Sequence, residues 1–508
     1  MALSHVQTGT TSGLVALLVN IEVDVARSDK PSLVIVGLPD AAVREAKDRV
    51  LTAIKNTGVD TSSLQCTVNL APADLRKEGS LFDLPIAIGL LASIGKLKKD
   101  SFQDYLIIGE LGLGGEVRYV SGTLPLAMLA KSSKKKGIIV PSVNAQEAAL
   151  VPGIEVIAVD TLSELVQYFN GAISLKTIYS SKESKVKSQN EKVRPPLVDF
   201  AEIHGQAQGK RAIEIAAAGN HNILLSGPPG TGKSLLAKAL IGLLPDLDYE
   251  EALEVTQLHS IAGLTRNMTL LQQERPFRAP HHTVSYAGLI GGGATPRPGE
   301  VALAHRGVLF LDELPEFSRA ALEALREPLE ERKITISRAQ ASSTFPANFI
   351  FVAAMNPCPC GFLGHPEKPC RDSGLQIERY QRKISGPLLD RIDLQVTVNA
   401  LRSTDINHDL QRESSFVVRT RVVAARQRQK ERFGSVKTNA EMSVKEIQKF
   451  FPIDPASKKI LDSAVDTLHL SMRGYFRTIR TAATICDLAG IDKISEAELL
   501  EALSYRSS

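Results

Sequence analysis

The sequence predicts a multidomain α/β protein with a phosphate-binding core and a helical C-terminal domain. At 508 residues the chain is too long for a single hydrophobic core. A Ser- and Lys-rich stretch ending in two prolines is typical of a linker. A glycine-rich phosphate loop follows it, and apolar residues at helical spacing fill the C-terminal end. These observations divide the chain into a domain at 1–170, a linker at 171–196, a core at 197–400 and a helical domain at 411–508.

The segment before the linker alternates predicted strands with predicted helices, which indicates an α/β or α+β domain. The predicted strands are 33–36, 106–108, 137–140 and 154–159. The predicted helices are 41–55, 84–94 and 125–135. The C-terminal domain contains only helical patterns, at 416–432, 444–451, 455–468, 475–489 and 496–504.

The phosphate loop follows the GxxxxGK[ST] pattern, between an apolar strand at 223–225 and a helix at 235–240. Its backbone N–H groups and the helix N-terminus favour a bound phosphate. Lys233 would reach the β- and γ-phosphates of ATP, and the Ser234 hydroxyl would hold Mg²⁺. The predicted ATP-binding residues are Gly227, Pro228, Pro229, Gly230, Thr231, Gly232, Lys233 and Ser234.

Two acidic residues, Asp312 and Glu313, end an apolar strand at 308–311. Asp312 would complete the Mg²⁺ shell together with Ser234, directly or through water. Glu313 would polarise the attacking water as a general base. The two motifs in this order predict an ATPase.

Composition excludes several other classes of protein. The chain has 60 basic and 56 acidic residues, so any nucleic-acid binding must come from local clusters. No apolar run is long enough to span a bilayer, and no basic segment precedes 14–19 as in a secretory signal. We therefore expect a cytoplasmic protein with no membrane partner.

Several further stretches resemble the ComM/YifB branch of the magnesium-chelatase-like AAA+ ATPases. The stretches are 273–285, 291–293, 304–314, 356–361 and 385–393. The resemblance covers nearly the whole chain. It implies a ring, expected to be a hexamer, that uses ATP and Mg²⁺ to translocate on single-stranded and branched DNA. It also implies a helicase that promotes branch migration during homologous recombination in natural transformation, with recombination proteins as possible partners.

The resemblance also implies roles for three residues beyond the phosphate loop. Asn356 follows a strand at 349–355 and matches sensor 1, which orients the attacking water. Arg391 matches the arginine finger that reaches the nucleotide of a neighbouring subunit, with Arg382 as the competing choice. Arg473 matches sensor 2, a second arginine on the phosphates. A surface ion pair is the alternative for each arginine.

Two hairpins are expected to line the pore of such a ring. One lies in the insertion at 275–300, which is rich in Gly and Pro. The other pairs 333–338 with 342–345. We expect DNA to contact Lys333 and Arg338, which strand alternation puts on opposite faces, so that at most one should line the pore unless the hairpin twists. Arg338 is preferred, because it lies near the expected tip and its guanidinium can bridge phosphates or stack on a base. The alternative is that both hairpins are structural arms.

Residues 69–160 resemble the proteolytic domain of Lon, which has a ribosomal-protein-S5-like fold. The matching stretches are 76–85, 109–117 and 121–130. Lon needs a Ser nucleophile and a Lys base, but alignment puts leucines, Leu124 and Leu126, where Lon has lysines, and leaves Ser80 one residue out of register. We therefore expect no peptidase activity and a structural or guiding role.

Three cysteines, Cys358, Cys360 and Cys370, are crowded together after sensor 1. With His365 or Asp372 as a fourth ligand they could bind Zn²⁺ tetrahedrally. A reduced cluster that stiffens the loop is the alternative.

The main alternative to a DNA translocase is a chelatase-type ATPase that remodels a protein partner and binds no nucleic acid. The fold alone does not separate the two. Measuring whether single-stranded DNA stimulates ATP hydrolysis would separate the two hypotheses.

Overall fold

The computed structural model describes most of the chain. The described residues are 3–77, 79–98, 101–179, 197–266, 271–293, 296–338, 341–365, 367–400 and 412–506. Among them, no helix has the length and apolar character to cross a membrane.

The N-terminal part (residues 3–179) contains two four-stranded sheets, ordered β1-β2-β4-β3 and β10-β9-β8-β5, and a short pair β6-β7. The strands are β1 (Ser4–Ser12), β2 (Val15–Arg27), β3 (Ser32–Val36), β4 (Leu64–Ala71), β5 (Tyr105–Ile107), β6 (Glu110–Leu111), β7 (Val117–Arg118), β8 (Gly137–Pro141), β9 (Glu155–Val159) and β10 (Thr177–Tyr179). The helices are α1 (Ala41–Asn56), α2 (Asp83–Ser93), α3 (Thr123–Ser132), α4 (Ala145–Ala148) and α5 (Leu162–Phe169).

The predicted strands and helices of this part are confirmed to within three residues at each end, and the structure adds elements that periodicity missed. The long β1–β2 hairpin is the largest addition. Its second strand buries Val19, Ile21, Val23 and Val25 at every second position, so one face of the strand forms the core.

The linker prediction at 171–196 is wrong at its beginning. Strand β10 pairs antiparallel with β9, because Ile178 lies opposite Val156 and extends that sheet. Residues 180–196 lie outside the described residues.

The central part (residues 197–400) is built on a parallel five-stranded sheet ordered β12-β15-β18-β11-β19. Its strands are β11 (Ile223–Ser226), β12 (Phe277–Arg278), β15 (Val308–Leu311), β18 (Ile350–Met355) and β19 (Leu394–Thr397). Its helices are α6 (Ala207–Gly219), α7 (Lys233–Leu243), α8 (Tyr249–Ile261), α9 (Tyr286–Ile290), α10 (Glu300–Leu303), α11 (Arg319–Ala324), α12 (Arg326–Glu331), α13 (Gly374–Gln381) and α14 (Gly386–Leu389). Strands β15 and β18 are buried along their whole length, as expected for the middle of a parallel sheet.

Two hairpins extend from this sheet, both where they were predicted. The first pairs β13 (Gly291–Gly292) with β14 (Arg297–Pro298), and the second pairs β16 (Lys333–Arg338) with β17 (Ala341–Pro346). The predicted alternation is confirmed for the described side chains, because Ile334 and Ile336 are buried and Lys333 is exposed. The Arg338 side chain lies outside the described residues.

The described C-terminal part (residues 412–506) is helical, and its predicted helices are confirmed. They are α15 (Ser415–Phe433), α16 (Val444–Phe450), α17 (Pro455–Leu468), α18 (Met472–Ala489) and α19 (Glu496–Ser504). Side chains close the N-termini: Asp454 accepts from two backbone N–H groups of α17, and Ser443 forms a capping box with Glu446 at α16.

A buried carboxylate joins the N-terminal part to the central part. Glu147 of α4 accepts hydrogen bonds from the hydroxyls of Ser260 (2.5 Å) and Thr265 (2.9 Å), at and just beyond the end of α8. It also accepts from the backbone N–H of Leu124, which begins the adjoining helix α3. Burial raises the pKa of Glu147. The joint therefore fastens the N-terminal part to the helix that leads toward the insertion.

Candidate nucleotide-binding site

The phosphate loop lies between β11 and α7, as the sequence predicts. Gly230 and Gly232 have φ of 78° and 89°, in the left-handed region that favours glycine. Lys233 donates to the backbone carbonyls of Gly227 (2.7 Å) and Pro228 (2.8 Å), so its amine rests on its own loop. Burial lowers the pKa of Lys233. An anionic phosphate would give this cation a charged partner in place of neutral oxygens, and so a stronger one.

The two residues predicted to hold Mg²⁺ are brought together across the sheet. The Ser234 hydroxyl donates to the Asp312 carboxylate at 2.8 Å, although the residues are far apart in sequence. Strand β18 lies between β11 and β15, and all three strands end at the same edge. This oxygen pair fits a hard divalent cation.

Glu313 follows Asp312 with φ of 51°, an unusual backbone conformation for a residue other than glycine. Its backbone N–H donates to Asp312 at 2.9 Å. Its carboxylate lies 3.3 Å from Nδ1 of His282. Sequence reasoning did not identify His282, which belongs to the insertion.

Asn356 stands at the C-terminal end of β18, next to the loop. Its amide oxygen accepts from the Lys233 amine at 3.3 Å. A polar side chain thus contacts Lys233, and the sensor 1 role of Asn356 stays a prediction.

Arg391, the predicted arginine finger, and Arg473, the predicted sensor 2, both contact one carboxylate. Sequence reasoning did not identify this carboxylate either. Glu330 of α12 accepts from Arg391 through one oxygen and from Arg473 through the other, at 2.9 Å for Arg473. Arg391 also donates to the carbonyls of Pro387 (2.7 Å) and Arg326 (3.1 Å), and it is only 6% exposed. Its guanidinium is therefore engaged within its own subunit.

The competing candidate, Arg382, is in a different environment. Its side chain is 77% exposed and pairs with Glu378 one turn earlier in α13. Arg382 therefore forms a surface ion pair, the alternative to a role as arginine finger.

A third arginine ties the helical part to the sheet. Arg477 of α18 donates to Asp393 and to the backbone carbonyl of Arg391, both at 2.7 Å. Burial opposes ionisation of Asp393, yet Arg477 and His221 hold its pKa well below the usual range. The backbone that carries Arg391 is thus held by the same helix that carries Arg473.

The cysteine cluster forms a compact triangle beside the phosphate loop. Sulfur–sulfur distances are 3.4 Å for Cys358–Cys360 and 3.6 Å from each of these to Cys370. Tetrahedral zinc with Zn–S bonds of about 2.3 Å needs sulfurs about 3.8 Å apart, so the triangle fits. A carboxylate oxygen of Asp372 completes a set of four ligand atoms within 4.8 Å of one another.

Asp372 rather than His365 is therefore the fourth candidate ligand. His365 Nδ1 accepts instead from the backbone N–H groups of Glu367 and Lys368, each at 3.1 Å. Gly361, inside the same loop, packs against the phosphate loop, since a Cβ there would lie 2.8 Å from Pro229 Cδ.

The position corresponding to a peptidase site carries different contacts. The Ser80 hydroxyl donates to the Glu110 carboxylate, and no lysine is a partner of Ser80 in any contact among the described residues. Leu124 and Leu126 are fully buried in the core.

Comparison with known proteins identifies the family. Residues 199–406 match the family described as magnesium chelatase, subunit ChlI, and residues 412–506 match its C-terminal part. Residues 21–144 match a further ChlI family. Competence protein ComM of Haemophilus influenzae is 43% identical over 509 residues, covering 100% of this chain and 98% of the relative. The chain belongs to the ComM/YifB branch of the magnesium-chelatase-like family.

The YifB protein of Escherichia coli agrees, with 42% identity over 512 residues, covering 100% of this chain and 97% of the relative. Similarity to Lon is partial: Lon protease 2 of Bacillus subtilis is 30% identical over 159 residues, which are 30% of this chain and 28% of that protein. The fold class is thus confirmed as mixed α/β with a parallel sheet in a magnesium-chelatase-like AAA+ family. Membership favours ATPase activity and use of ATP with Mg²⁺.

Proposed function

We propose that this protein is a ring-forming ATPase, a hexamer, that translocates on DNA and promotes branch migration during recombination in natural transformation. The observation that carries the proposal is similarity to a competence protein over the full length of this chain. Lys233, Ser234, Asp312, Glu313 and Asn356 stand at one edge of the sheet. We propose a cytoplasmic location, with recombination proteins as partners.

ATP bound with Mg²⁺ supplies the phosphoanhydride whose hydrolysis drives the cycle. In the proposed cycle, Lys233 leaves its loop carbonyls for the phosphates, and Ser234 and Asp312 open to hold the cation. Glu313 accepts a proton from the attacking water, and Asn356 orients that water. These groups lie at one edge of the sheet, which supports their acting on one nucleotide.

Arg391 and Arg473 are proposed to act together on the nucleotide of the neighbouring subunit. Both lie on Glu330, and neither contacts residues of its own phosphate loop among the described contacts. Developing negative charge on a neighbour's phosphates would compete with Glu330 for the two guanidinium groups.

DNA is proposed to contact the two hairpins in the pore. The buried faces of Ile334 and Ile336 anchor the second hairpin, and Lys333 on its exposed face is paired only loosely, 3.7 Å from Glu331. Arg338 near the turn remains the preferred contact. Arg338→Ala should weaken single-stranded DNA binding about tenfold at low salt and flatten its salt dependence, because one phosphate contact is lost.

DNA affinity measured at several salt concentrations tests this contact, with basal ATP turnover as the control for folding. Lys333→Ala is the matched variant, expected to have the smaller effect. Unchanged affinity and salt slope for Arg338→Ala would move the DNA contact to the first hairpin.

The function itself is tested by ATP turnover with and without single-stranded DNA, and by branch migration of a labelled four-way junction. We expect DNA to stimulate turnover, and Lys233→Ala to abolish junction movement. A chelatase-type protein remodeller, the second candidate, predicts turnover that DNA leaves unchanged and no movement of the junction. Similarity to the chelatase subunit in three segments is what favours that candidate.

Zinc is proposed at Cys358, Cys360, Cys370 and Asp372. The ion would stiffen the cysteine loop, which packs on Pro229 of the phosphate loop. Removing the ion should therefore alter the conformation of the phosphate loop, although no phosphate contact is lost. We expect metal analysis to find about one zinc per chain, and Cys370→Ser to lose it and weaken ATP binding severalfold. Cys486→Ser, a buried cysteine remote from the cluster in sequence, is the control. Protein purified without metal whose ATP affinity is unchanged by added zinc would favour the reduced, loop-stiffening cluster.

A further inference from the structure

Helix α15 exposes an apolar face on its outer side. Phe416, Val417 and Val423 are 61%, 45% and 40% exposed. Phe416, Thr420 and Val423 lie at positions i, i+4 and i+7, so they share one side of the helix. The Thr420 hydroxyl donates to the Phe416 carbonyl at 3.0 Å, so it needs no other partner. We call these four side chains the α15 stripe, and a helix face of this kind is normally packed against another element.

The opposite side of α15 is fixed to the core of its own subunit. The Ser415 hydroxyl accepts from the Phe200 N–H at 2.8 Å, and Gln429 donates to the Ala218 carbonyl at 3.1 Å. The apolar residues buried on this side are Val418, Val422 and Ala425. The helix therefore cannot rotate to bury the stripe within its own domain.

The C-terminal part carries an apolar groove of about 720 Å³ between α16, α17 and α18. Its lining includes Phe451, Val465, Met472 and Phe476. Met472 is exposed and Phe451 is buried, so the groove has an apolar floor and an open mouth. Grooves of this chemistry receive the apolar face of a helix, which contributes side chains at i, i+4 and i+7.

The rim of the groove and the end of the stripe have opposite charges. Asp462 and Asp466, one turn apart on α17, are exposed at the rim, and neither forms an ion pair among the described residues. Lys430 is exposed on the stripe's side of α15, two turns beyond Val423. The neighbouring carboxylate of Glu431 already accepts from Gln427 within the same helix, at 2.8 Å. The two surfaces are thus complementary in charge as well as in apolar character.

Both surfaces adjoin the nucleotide machinery. Met472 on the groove directly precedes Arg473, which is proposed to reach the nucleotide of a neighbouring subunit. The segment that holds the start of α15 continues to Gln206, which donates to the Thr231 carbonyl in the phosphate loop at 3.2 Å. The groove therefore lies beside an arginine that reaches out of the subunit, and the stripe belongs to the side that holds the phosphate loop.

We propose that the α15 stripe of one subunit docks into the C-terminal groove of the next subunit. This rests on the proposed function as a ring-forming ATPase, and it names the surfaces that build the ring. Because stripe and groove are different surfaces, each pair of subunits still offers one free stripe and one free groove. Such a head-to-tail contact repeats around a ring. It brings Arg473 of one subunit toward the phosphate loop of its neighbour.

Association of the full-length protein, measured by sedimentation velocity with ATP and Mg²⁺, tests the contact. Phe416→Asp removes the stripe and Val465→Asp removes the groove, because each puts a charge into the apolar contact. Each variant should raise the Kd of association about 30-fold or more, the loss expected for one buried apolar side chain. Leu500→Asp is the matched control, since Leu500 is an exposed apolar residue on α19, outside both surfaces, and it should assemble as the parent does.

A mixture of the two variants tests the head-to-tail direction. Phe416→Asp subunits keep an intact groove, and Val465→Asp subunits keep an intact stripe. An equimolar mixture should form heterodimers and nothing larger, because only one kind of intact contact is available. Rings that persist in either variant alone would overturn the proposal and leave the groove to a different protein. A mixture that contains only monomers would overturn it as well.

A second pair of variants covers a loss of folding, judged by the thermal midpoint. Val423→Asp replaces the first stripe variant, and Asp462→Lys combined with Asp466→Lys replaces the first groove variant. Lys430→Glu added to the doubly substituted chain should restore part of the association, because the charges are then exchanged. A helix that is merely destabilised would not be rescued in this way. Association unchanged by the second pair would contradict the contact.

Failure of the proposed function and failure of the contact give different results. A parental protein that assembles, loses assembly in both variants and hydrolyses ATP without DNA stimulation would support the contact and refute the DNA function. Parental rings that neither variant weakens would refute the contact alone. A parental protein that stays monomeric with ATP and Mg²⁺ at every concentration would refute both the ring and the contact.

Discussion

The two sides of the nucleotide site differ in how complete they are within one chain. On the phosphate-loop side, Ser234 already contacts Asp312, and Lys233 contacts Asn356. On the arginine side, Arg391 and Arg473 are folded onto Glu330 of their own subunit. In the proposed function, the phosphate-loop side exchanges partners within one chain, whereas the two arginines exchange Glu330 for the nucleotide of a neighbouring subunit.

The difference has a physical origin in the fold. The carboxyl ends of parallel strands meet at one edge, so the residues that follow β11, β15 and β18 converge without further help. Arg391 instead follows a short helix and does not lie at the end of a strand. Because its guanidinium is largely buried, it needs an anionic partner when no phosphate is bound. Glu330 is that anion. The two arginines would stay paired with Glu330 until the phosphates of a neighbouring subunit compete for them.

The largest expected effect comes from the arginine side. Arg391→Ala should lower ATP turnover about 1000-fold, as loss of an arginine finger does. Mixing these subunits with Lys233→Ala subunits should restore part of the activity, because one interface then combines an intact loop with an intact finger. Steady-state turnover across a series of mixing ratios measures this.

Arg382→Ala is the control and should retain activity, since that arginine is an exposed ion pair. Uniform inactivity of the Arg391 mixtures, with assembly shown to be intact, would mean that Arg391 serves its own subunit.

A somewhat smaller loss of turnover is expected on the phosphate-loop side, where two variants separate ATP binding from ATP hydrolysis. Glu313→Gln should lower turnover about 100-fold or more while keeping ATP affinity, because a general base acts on water and not on the phosphates. Lys233→Ala should instead lose affinity, because a phosphate contact is removed. Turnover and equilibrium binding of a fluorescent nucleotide distinguish the two. Parental turnover in Glu313→Gln would remove Glu313 from the role of base.

The smallest change in turnover is expected when Glu330, the carboxylate that contacts both arginines, is replaced. Glu330→Gln should raise turnover at limiting protein concentration by only a few-fold, since a half-exposed ion pair contributes about 1 kcal/mol or less. Glu331→Gln is the matched control, because that neighbouring carboxylate is exposed and, among the described residues, pairs with Lys333 and not with either arginine. A fall in turnover for Glu330→Gln would show that Glu330 orients the arginines productively instead of holding them back.

The sequence predicted the elements that depend on local pattern. The phosphate loop between β11 and α7, the acidic pair after β15, the second hairpin and the C-terminal helices are all where periodicity and motif spacing indicated. The predicted linker began too early, because Thr177–Tyr179 form a strand that pairs with β9. No local sequence pattern reveals that partner. Glu330 and His282 were missed for a related reason: acidic and histidine side chains on a surface look alike until their partners are known.

The sequence by itself determined which residues are the candidates to bind phosphate, hold a divalent cation and activate water, since those chemistries require particular side chains at fixed spacing. Only the tertiary structure decided which of them meet. It paired Arg391 with Arg473 through Glu330, selected Asp372 over His365 beside the cysteines, and set His282 opposite Glu313. Those pairings depend on strand order and register, which join residues distant in the chain, and hydrophobic burial over the whole sheet fixes that order.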